Sequence, residues 1–296
     1  MYQPAFESFD QRPKTATRRN QNALYTLIRD QLSVPTWLVL GGLLQGTAMA
    51  VLPYRNLTMV LPAVLFIAYK LLRAVLITTG VLPNPLMSNV IPYRVAPIIP
   101  SEKGQQDKPA EEQVCAIILG VVSHHPFGMF GPGFKEVGDR FDAMVDELSQ
   151  DATQHGFMGA SAWVNAAERT SGNEFMSILY FENEHYLHQY AHGPLHTKAM
   201  QWWREVEAKI PHVGIMHEVF ACPKRSWEGI YLNYQPTGLG STSKEVTGPD
   251  GRKVWMNPLV KMKGQLMYSK GRMGRQFGDH EWDAFAATAP PGMESA

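Results

Sequence analysis

The residues best suited to chemistry gather in one stretch, residues 181–203, which reads FENEHYLHQYAHGPLHTKAMQWW. Wound as a helix, at about 100° per residue, it brings His185, His188, His192 and His196 within an arc of about 80°, with Ala199 and Trp203 continuing the stripe. The chain has ten histidines, and imidazole exchanges protons near neutral pH and ligates metals. His188, His192 and His196 are the catalytic candidates, with His192 or His196 as a general base; His185 stands near the helix start. No Asp or Glu occupies the spacing of a zinc-protease motif.

A second concentration, SHHPFGMFGPGF at 123–134, places His124 and His125 at the end of an apolar run. His125 is the substrate-binding candidate there. The glycines match neither a P-loop nor GxGxxG, so nucleotide binding is not indicated. Trp163 and Asn165 are two residues apart and would share one face of a strand, where they could orient a ligand or dioxygen. His217 interrupts an otherwise apolar strand beside Glu218. Tyr231 and Asn233, in WEGIYLNYQPTGL, could line or cover a cavity.

These groups need a scaffold. Residues 114–122 (VCAIILGVV) read as a buried strand. A helix follows the turn at Gly131, Pro132 and Gly133, with Phe134, Val137, Phe141, Met144, Val145 and Leu148 at helical spacing. Strands are expected over 157–167 and 175–181, joined by the turn RTSGN. A helical region follows to about Ile210, broken at Gly193-Pro194, and 212–221 closes as a fourth strand. The order is β-α-β-β-α-β, the ferredoxin-like split unit of the α+β class. Two helices cover one sheet face only. The other must be buried too, so a dimeric α+β barrel is expected, a homodimer through the sheet with a ligand cavity between sheet and helices.

The rest of the chain is unlike this domain. Lys+Arg and Asp+Glu are each 27, for a net charge of zero, which excludes a nucleic-acid binder acting through global charge. Two cysteines, Cys115 and Cys222, make neither a disulfide framework nor a zinc-cysteine site. Charged residues are 18% of the chain, below the usual quarter or so, and the deficit is local: none lies between Asp30 and Arg55. That run and a second from Leu57 to Leu82 are each long enough to cross about 30 Å of hydrocarbon. A transmembrane helical hairpin over 31–82 is expected, turning at Pro53 to Asn56. Lys14, Arg18, Arg19, Arg29, Lys70 and Arg73 place its ends and the soluble domain on the cytosolic side, consistent with the endoplasmic reticulum. Residues 1–30 read as a polar tail, 83–112 as an extended linker, 113–240 as the folded domain and 241–296 as a flexible tail. Between Gly251 and Gly278 that tail carries seven basic residues and no acidic one, which suits an anionic lipid surface.

SHHPFGMFGPGFKEVGDRF, LHQYAHGPLHTKAMQWW, GIMHEVF and WEGIYLNYQPTGL together resemble a fungal and bacterial family of monooxygenase-like proteins, the antibiotic-biosynthesis type typified in the fumagillin pathway. The resemblance covers roughly residues 114–240. It implies a dimeric α+β barrel that oxygenates a hydrophobic polyketide or terpenoid intermediate of secondary metabolism, with dioxygen as co-substrate. The expected chemistry uses no flavin, nicotinamide or metal: the substrate supplies the electrons, and the protein supplies a base, a dry cavity and oxyanion donors. Two alternatives stand beside it, a haem enzyme with His188, His192 or His196 as axial ligand, and a non-catalytic membrane-anchored carrier of a hydrophobic metabolite.

Overall fold

A computed structural model describes residues 2–13, 32–164, 174–248 and 250–275, which form two compact units. In the smaller, helix α1 spans Val34–Val51 and α2 spans Arg55–Thr78. Ser33 caps α1 by accepting a hydrogen bond from Thr36 N, and Pro35 occupies the first turn, where its missing N–H costs nothing. Tyr54, at φ 61°, turns the chain into α2. Neither helix has a buried residue, and both are long and apolar enough to cross a membrane by length and composition. The polar Gln45 of α1 is satisfied internally: its amide donates to the carbonyls of Thr58 and Met59 on α2.

The larger unit is mixed α+β and wholly antiparallel. After a short strand β1 (Val95–Pro97) come β2 (Val114–Ser123), α3 (Phe134–Gln150), β3 (Phe157–Val164) and β4 (Glu174–Phe181). They are followed by α4 (Glu184–Ala191), α5 (Pro194–Val206) and β5 (Val213–Cys222). The four long strands pair in the order β3-β4-β2-β5, which is the β-α-β-β-α-β arrangement with its second helix in two pieces. The break lies at Gly193-Pro194, because proline has no N–H to continue α4 but is well placed at the first position of α5.

Period-two alternation sorts the sheet's two faces. Odd-numbered residues of β2 and β4, among them Cys115, Leu179 and Phe181, pack against Leu148 of α3 and Leu187 and Tyr190 of α4. Phe134, Ile210 and Val213 close the core at the other end. Tyr190 OH donates to Glu147 at 2.8 Å, and burial together with this carboxylate pushes the phenol well above its ordinary pKa.

The expected tails and linker are folded where they are described. β6 (Lys244–Thr247) pairs with β7 (Lys253–Met256), and β8 (Leu259–Lys261) pairs with β1. Single bridges extend this second ladder, with Pro4 against Val260 on one side and Tyr231 against Val95 on the other. A one-turn helix α6 (Ser269–Arg272) ends the described chain. Ala96, Ile98, Val260, Met262 and Leu266 are buried together, with Tyr2 packed on them. The basic residues expected in a solvated tail are mostly engaged: Arg252 with Asp250, Lys253 with Glu245, Arg272 with Glu228, and Lys261 over the Tyr93 ring. Near the start of the chain, Arg12 is anchored between the Phe157 and Trp255 rings and donates to the carbonyls of Ser149 and Phe157. The apolar residues of this second core come from three distant segments, so no local periodicity betrays it.

Candidate functional site

The sheet face away from the helices carries several exposed large apolar side chains. Strand register arranges it in rows, since paired antiparallel residues point the same way. One row runs Gly159, Tyr180, Ala116, Phe220; the next Ser161, Ile178, Ile118, Glu218; the third Trp163, Met176, Gly120, Met216. Trp163, Met216 and Phe220 are 38%, 46% and 49% exposed, high for large apolar side chains on a sheet. The Met216 side chain lies over Gly120 in the third row, where a β-carbon would meet it at 2.8 Å. Within these rows only Ser161, Tyr180 and Glu218 carry side-chain oxygens, and Glu218 stands directly beside Ile118.

The segment after β5 covers one end of this face. Gly238 N donates to Ser161 Oγ at 2.9 Å, and Trp227 Nε1 donates to Glu112 O at 2.8 Å. Tyr231 OH donates to Thr237 O and accepts from Gly240 N, both at 2.9 Å. Burial pushes the Tyr231 phenol up to about 12 and raises Tyr180 as well, against an opposing backbone hydrogen bond in each case. The folded state thus holds the Tyr231 proton more tightly than the unfolded chain does. That contribution to stability is complete below pH 10, the ordinary tyrosine value, and is lost progressively as pH rises toward about 12. Unfolding midpoints in urea should fall across this window. In Tyr231→Phe the midpoint should be lower at neutral pH and the alkaline slope shallower; an unchanged slope would count against the assignment.

The structure separates the candidates read from the sequence. His188 and His192 are exposed, because α4 buries Leu187 and Tyr190 and the histidines lie roughly 130° or more around the helix from that face. The histidine spacing is helical, but on α4 it belongs to the solvent side. His196, on α5, is partly buried, and its Nδ1 is buried without a hydrogen-bond partner. All three belong to the helical layer, whereas Trp163 shares the open face with its partner Met176, so the sheet divides them. Asn165 lies outside the described residues. His217 pairs with Leu119 on the helix-facing side of β5 and is exposed. Asn233 is an exposed turn residue at φ 49°, a left-handed conformation that asparagine tolerates, and Tyr231 braces the loop rather than lining a cavity.

His125 is brought to an unexpected partner. Its ring lies 4.9 Å from that of His212, whose Nε2 is 2.8 Å from Pro132 O, and its Nδ1 accepts from Phe127 N at 3.1 Å. The pair fixes the loop between β2 and α3, which presents Phe127 and Phe130 to solvent. Among the described residues no set of three or more His, Cys, Asp or Glu is gathered as metal ligands. The expected space between sheet and helices is occupied by side chains of the main core. Sequence reading missed Ser161, Tyr180 and Glu218 as a set. The available signal was period two in GIMHEVF, which puts Glu218 on the side of Met216 and Phe220 and His217 on the other.

The chain is 30% identical over 268 residues to monooxygenase af470 of Aspergillus fumigatus, covering 89% of this chain and 96% of that protein. Residues 114–239 match the family described as Monooxygenase af470-like. Among solved structures the chain is similar to SnoaB, a cofactor-independent oxygenase from Streptomyces nogalater, at 12% identity and a TM-score of 0.24, over 37% of this chain and 91% of that one. It is also similar to an aldoxime dehydratase crystallised with butyraldoxime, at 13% identity and a TM-score of 0.37, over 50% of this chain and 39% of that one. Scores at this level carry no inference about chemistry.

Proposed function

The chain belongs to the Monooxygenase af470-like family, and on that premise we propose that it oxygenates a hydrophobic polyketide or terpenoid intermediate of secondary metabolism on the open sheet face. The observation that carries the substrate class is the face itself, where Trp163, Met176, Ile178, Ile118, Met216 and Phe220 surround a few oxygen-bearing groups. A second copy of the chain closes that face and excludes water. The hairpin of α1 and α2 anchors the enzyme in the endoplasmic reticulum membrane, where such a substrate concentrates, with the folded domain in the cytosol.

The reaction needs no flavin or metal if the substrate has an acidic C–H next to an extended π system. Glu218 removes the proton, and the carbanion reduces dioxygen and combines with it. The resulting hydroperoxide loses water, so that a CH2 and O2 become a C=O and H2O. Tyr180 and Ser161 stand in adjoining rows and can donate to the oxyanion that develops. Trp163 orients the apolar ring system.

Purified protein stripped of metal and flavin should consume oxygen with a suitable aromatic or enolisable substrate and place one atom of labelled dioxygen in the product. Uptake that requires added iron or flavin overturns the cofactor-free chemistry. The closing of the face is tested separately: Phe220→Glu, on a residue already half exposed, should shift sedimentation from dimer to monomer without loss of secondary structure. A monomeric parent protein would refute it.

His196 supports a second reading. Its bare, buried Nδ1 suits a base in the helical layer, and were haem bound, His196 would be the residue to hold its iron, which would supply the oxygen chemistry. A Soret band in the purified protein that disappears in His196→Ala would select haem. Activity lost in His196→Ala and kept in Glu218→Gln would move the base to the helical layer.

A further inference from the structure

The second ladder carries an exposed face of its own. Val95 N donates to Tyr231 O at 3.0 Å and Tyr231 N donates to Val95 O at 2.9 Å, so this pair points to one side, and Arg94, Leu232 and Ile230 belong to the other. On that other side Ala96, Val260, Met262 and Leu266 are buried together. Beside them, Ser269 Oγ and Arg272 Nε hold the carboxylate of Glu228 at 2.8 and 2.6 Å, which ties the 269–272 turn to the segment that contains Ile230. Large apolar side chains of these two tied segments face water: Ile230, Leu232, Met267 and Tyr268 are 52%, 49%, 37% and 58% exposed. Two exposed cations border it. Met262 N donates to Arg94 O at 3.0 Å, and Lys263, the residue after Met262, is exposed at the same end of the ladder. The nearby carboxylate of Glu228 is neutralised by Arg272.

We propose that this face, formed by Arg94, Ile230, Leu232, Lys263, Met267 and Tyr268, docks on the headgroup region of an anionic bilayer. The proposal rests on the reading of α1 and α2 as a membrane hairpin. A bilayer surface offers phosphates to Arg94 and Lys263 and an acyl boundary to the four apolar side chains, the combination that interfacial segments use. A second copy of the chain fits less well, because a two-fold contact would bring basic rim against basic rim. The tether favours the same occupant. Arg94 follows the end of α2, Thr78, by 16 residues, so even fully extended chain keeps it within roughly 55 Å of that helix end. Tethering at that range raises the effective concentration of bilayer and makes weak contacts sufficient.

The test uses the full chain with Leu232→Cys in a Cys222→Ser background; Cys115 is buried. The new thiol is labelled with a small environment-sensitive fluorophore, and the protein is reconstituted in phosphatidylcholine vesicles with or without phosphatidylserine. Nitroxide lipids labelled near the headgroup should quench the fluorophore several-fold more strongly when phosphatidylserine is present. The difference should vanish at high salt and in the Arg94→Glu, Lys263→Glu double variant. Equal quenching with and without phosphatidylserine, or quenching indifferent to charge reversal, overturns the proposal. So does an absence of quenching with label-to-label contact between copies, which would assign the face to self-association. Alkaline carbonate extraction scores the hairpin independently: extractable protein refutes the hairpin, whereas unquenched but unextractable protein refutes only the docking face.

Discussion

Replacing Asn257 with Ala is expected to lower the unfolding free energy by about 3–5 kcal/mol, one of the largest single-residue losses in this fold. Asn257 is 4% exposed and does three jobs with one amide. Its Nδ2 donates to Gly240 O at 2.9 Å and Thr242 O at 3.0 Å, and its Oδ1 accepts from Leu259 N at 2.9 Å. Truncation leaves those backbone groups without their partner in a buried place, at about 1–3 kcal/mol each with incomplete additivity, and leaves a small cavity besides. Gln106 cannot substitute. It is itself buried, and its amide is committed to Ile98 O at 2.8 Å and to the backbone carbonyl of Asn257 at 3.0 Å. Asn257→Asp sharpens the test. It keeps the acceptor for Leu259 N but turns an oxygen toward two carbonyls and buries a charge, so it should destabilise at least as much. Equilibrium urea unfolding of the three proteins decides; a loss below about 1 kcal/mol in Asn257→Ala would mean that the site relaxes or admits water.

Asn257 also marks where sequence reading stops. The β-α-β-β-α-β order was legible because each element announces itself locally. Residues 114–122 are an unbroken apolar run, Phe134 through Leu148 recur at helical spacing, and Gly193-Pro194 breaks a helix wherever it stands. The second ladder has no such signature. β1 and β8 have three residues each, their core partners come from Tyr2, Ile98 and Leu266, and Asn257 in isolation is another polar residue in a loop. Short strands paired over long chain separations are invisible to any window that sees one segment at a time. The histidine stripe is a different case. Its periodicity is real on α4, but periodicity leaves open which side faces the core, and Leu187 and Tyr190 bury more apolar surface than imidazoles would. For the site, type and spacing identified Trp163 as a face residue. The row that places Ser161, Ile178, Ile118 and Glu218 side by side exists only once register is known.

Glu218→Gln is expected to reduce turnover by about 100- to 10,000-fold, the range that general-base catalysis supplies. The substitution is nearly isosteric on an exposed strand residue, so secondary structure and dimer formation should not change. On the proposed reading Trp163, Ile178 and Phe220 hold the substrate, so binding should change little and the loss should fall on kcat with KM nearly constant. A base that removes a C–H proton leaves a further mark. With substrate deuterated at the reacting carbon, the parent enzyme should show a primary isotope effect wherever proton removal limits turnover, and the slower Gln variant should show it undiminished. Glu218→Asp keeps the carboxylate but withdraws it by one methylene, so it should recover part of the rate that Gln loses. A merely structural Glu218 predicts the reverse pattern, with Gln tolerated better than Asp and no change in isotope effect. The open face gives the carboxylate its leverage. Glu218 is exposed beside Ile118 and between Met216 and Phe220, and the water that a second copy would remove there is what weakens a carboxylate as a base. Trp163→Ala should therefore act on a different parameter, raising KM through lost contact with the substrate ring system while leaving the isotope effect in place. If both variants instead lowered kcat alike, the proton and the ring would not be handled by separate parts of the face, and the base would have to be sought at His196.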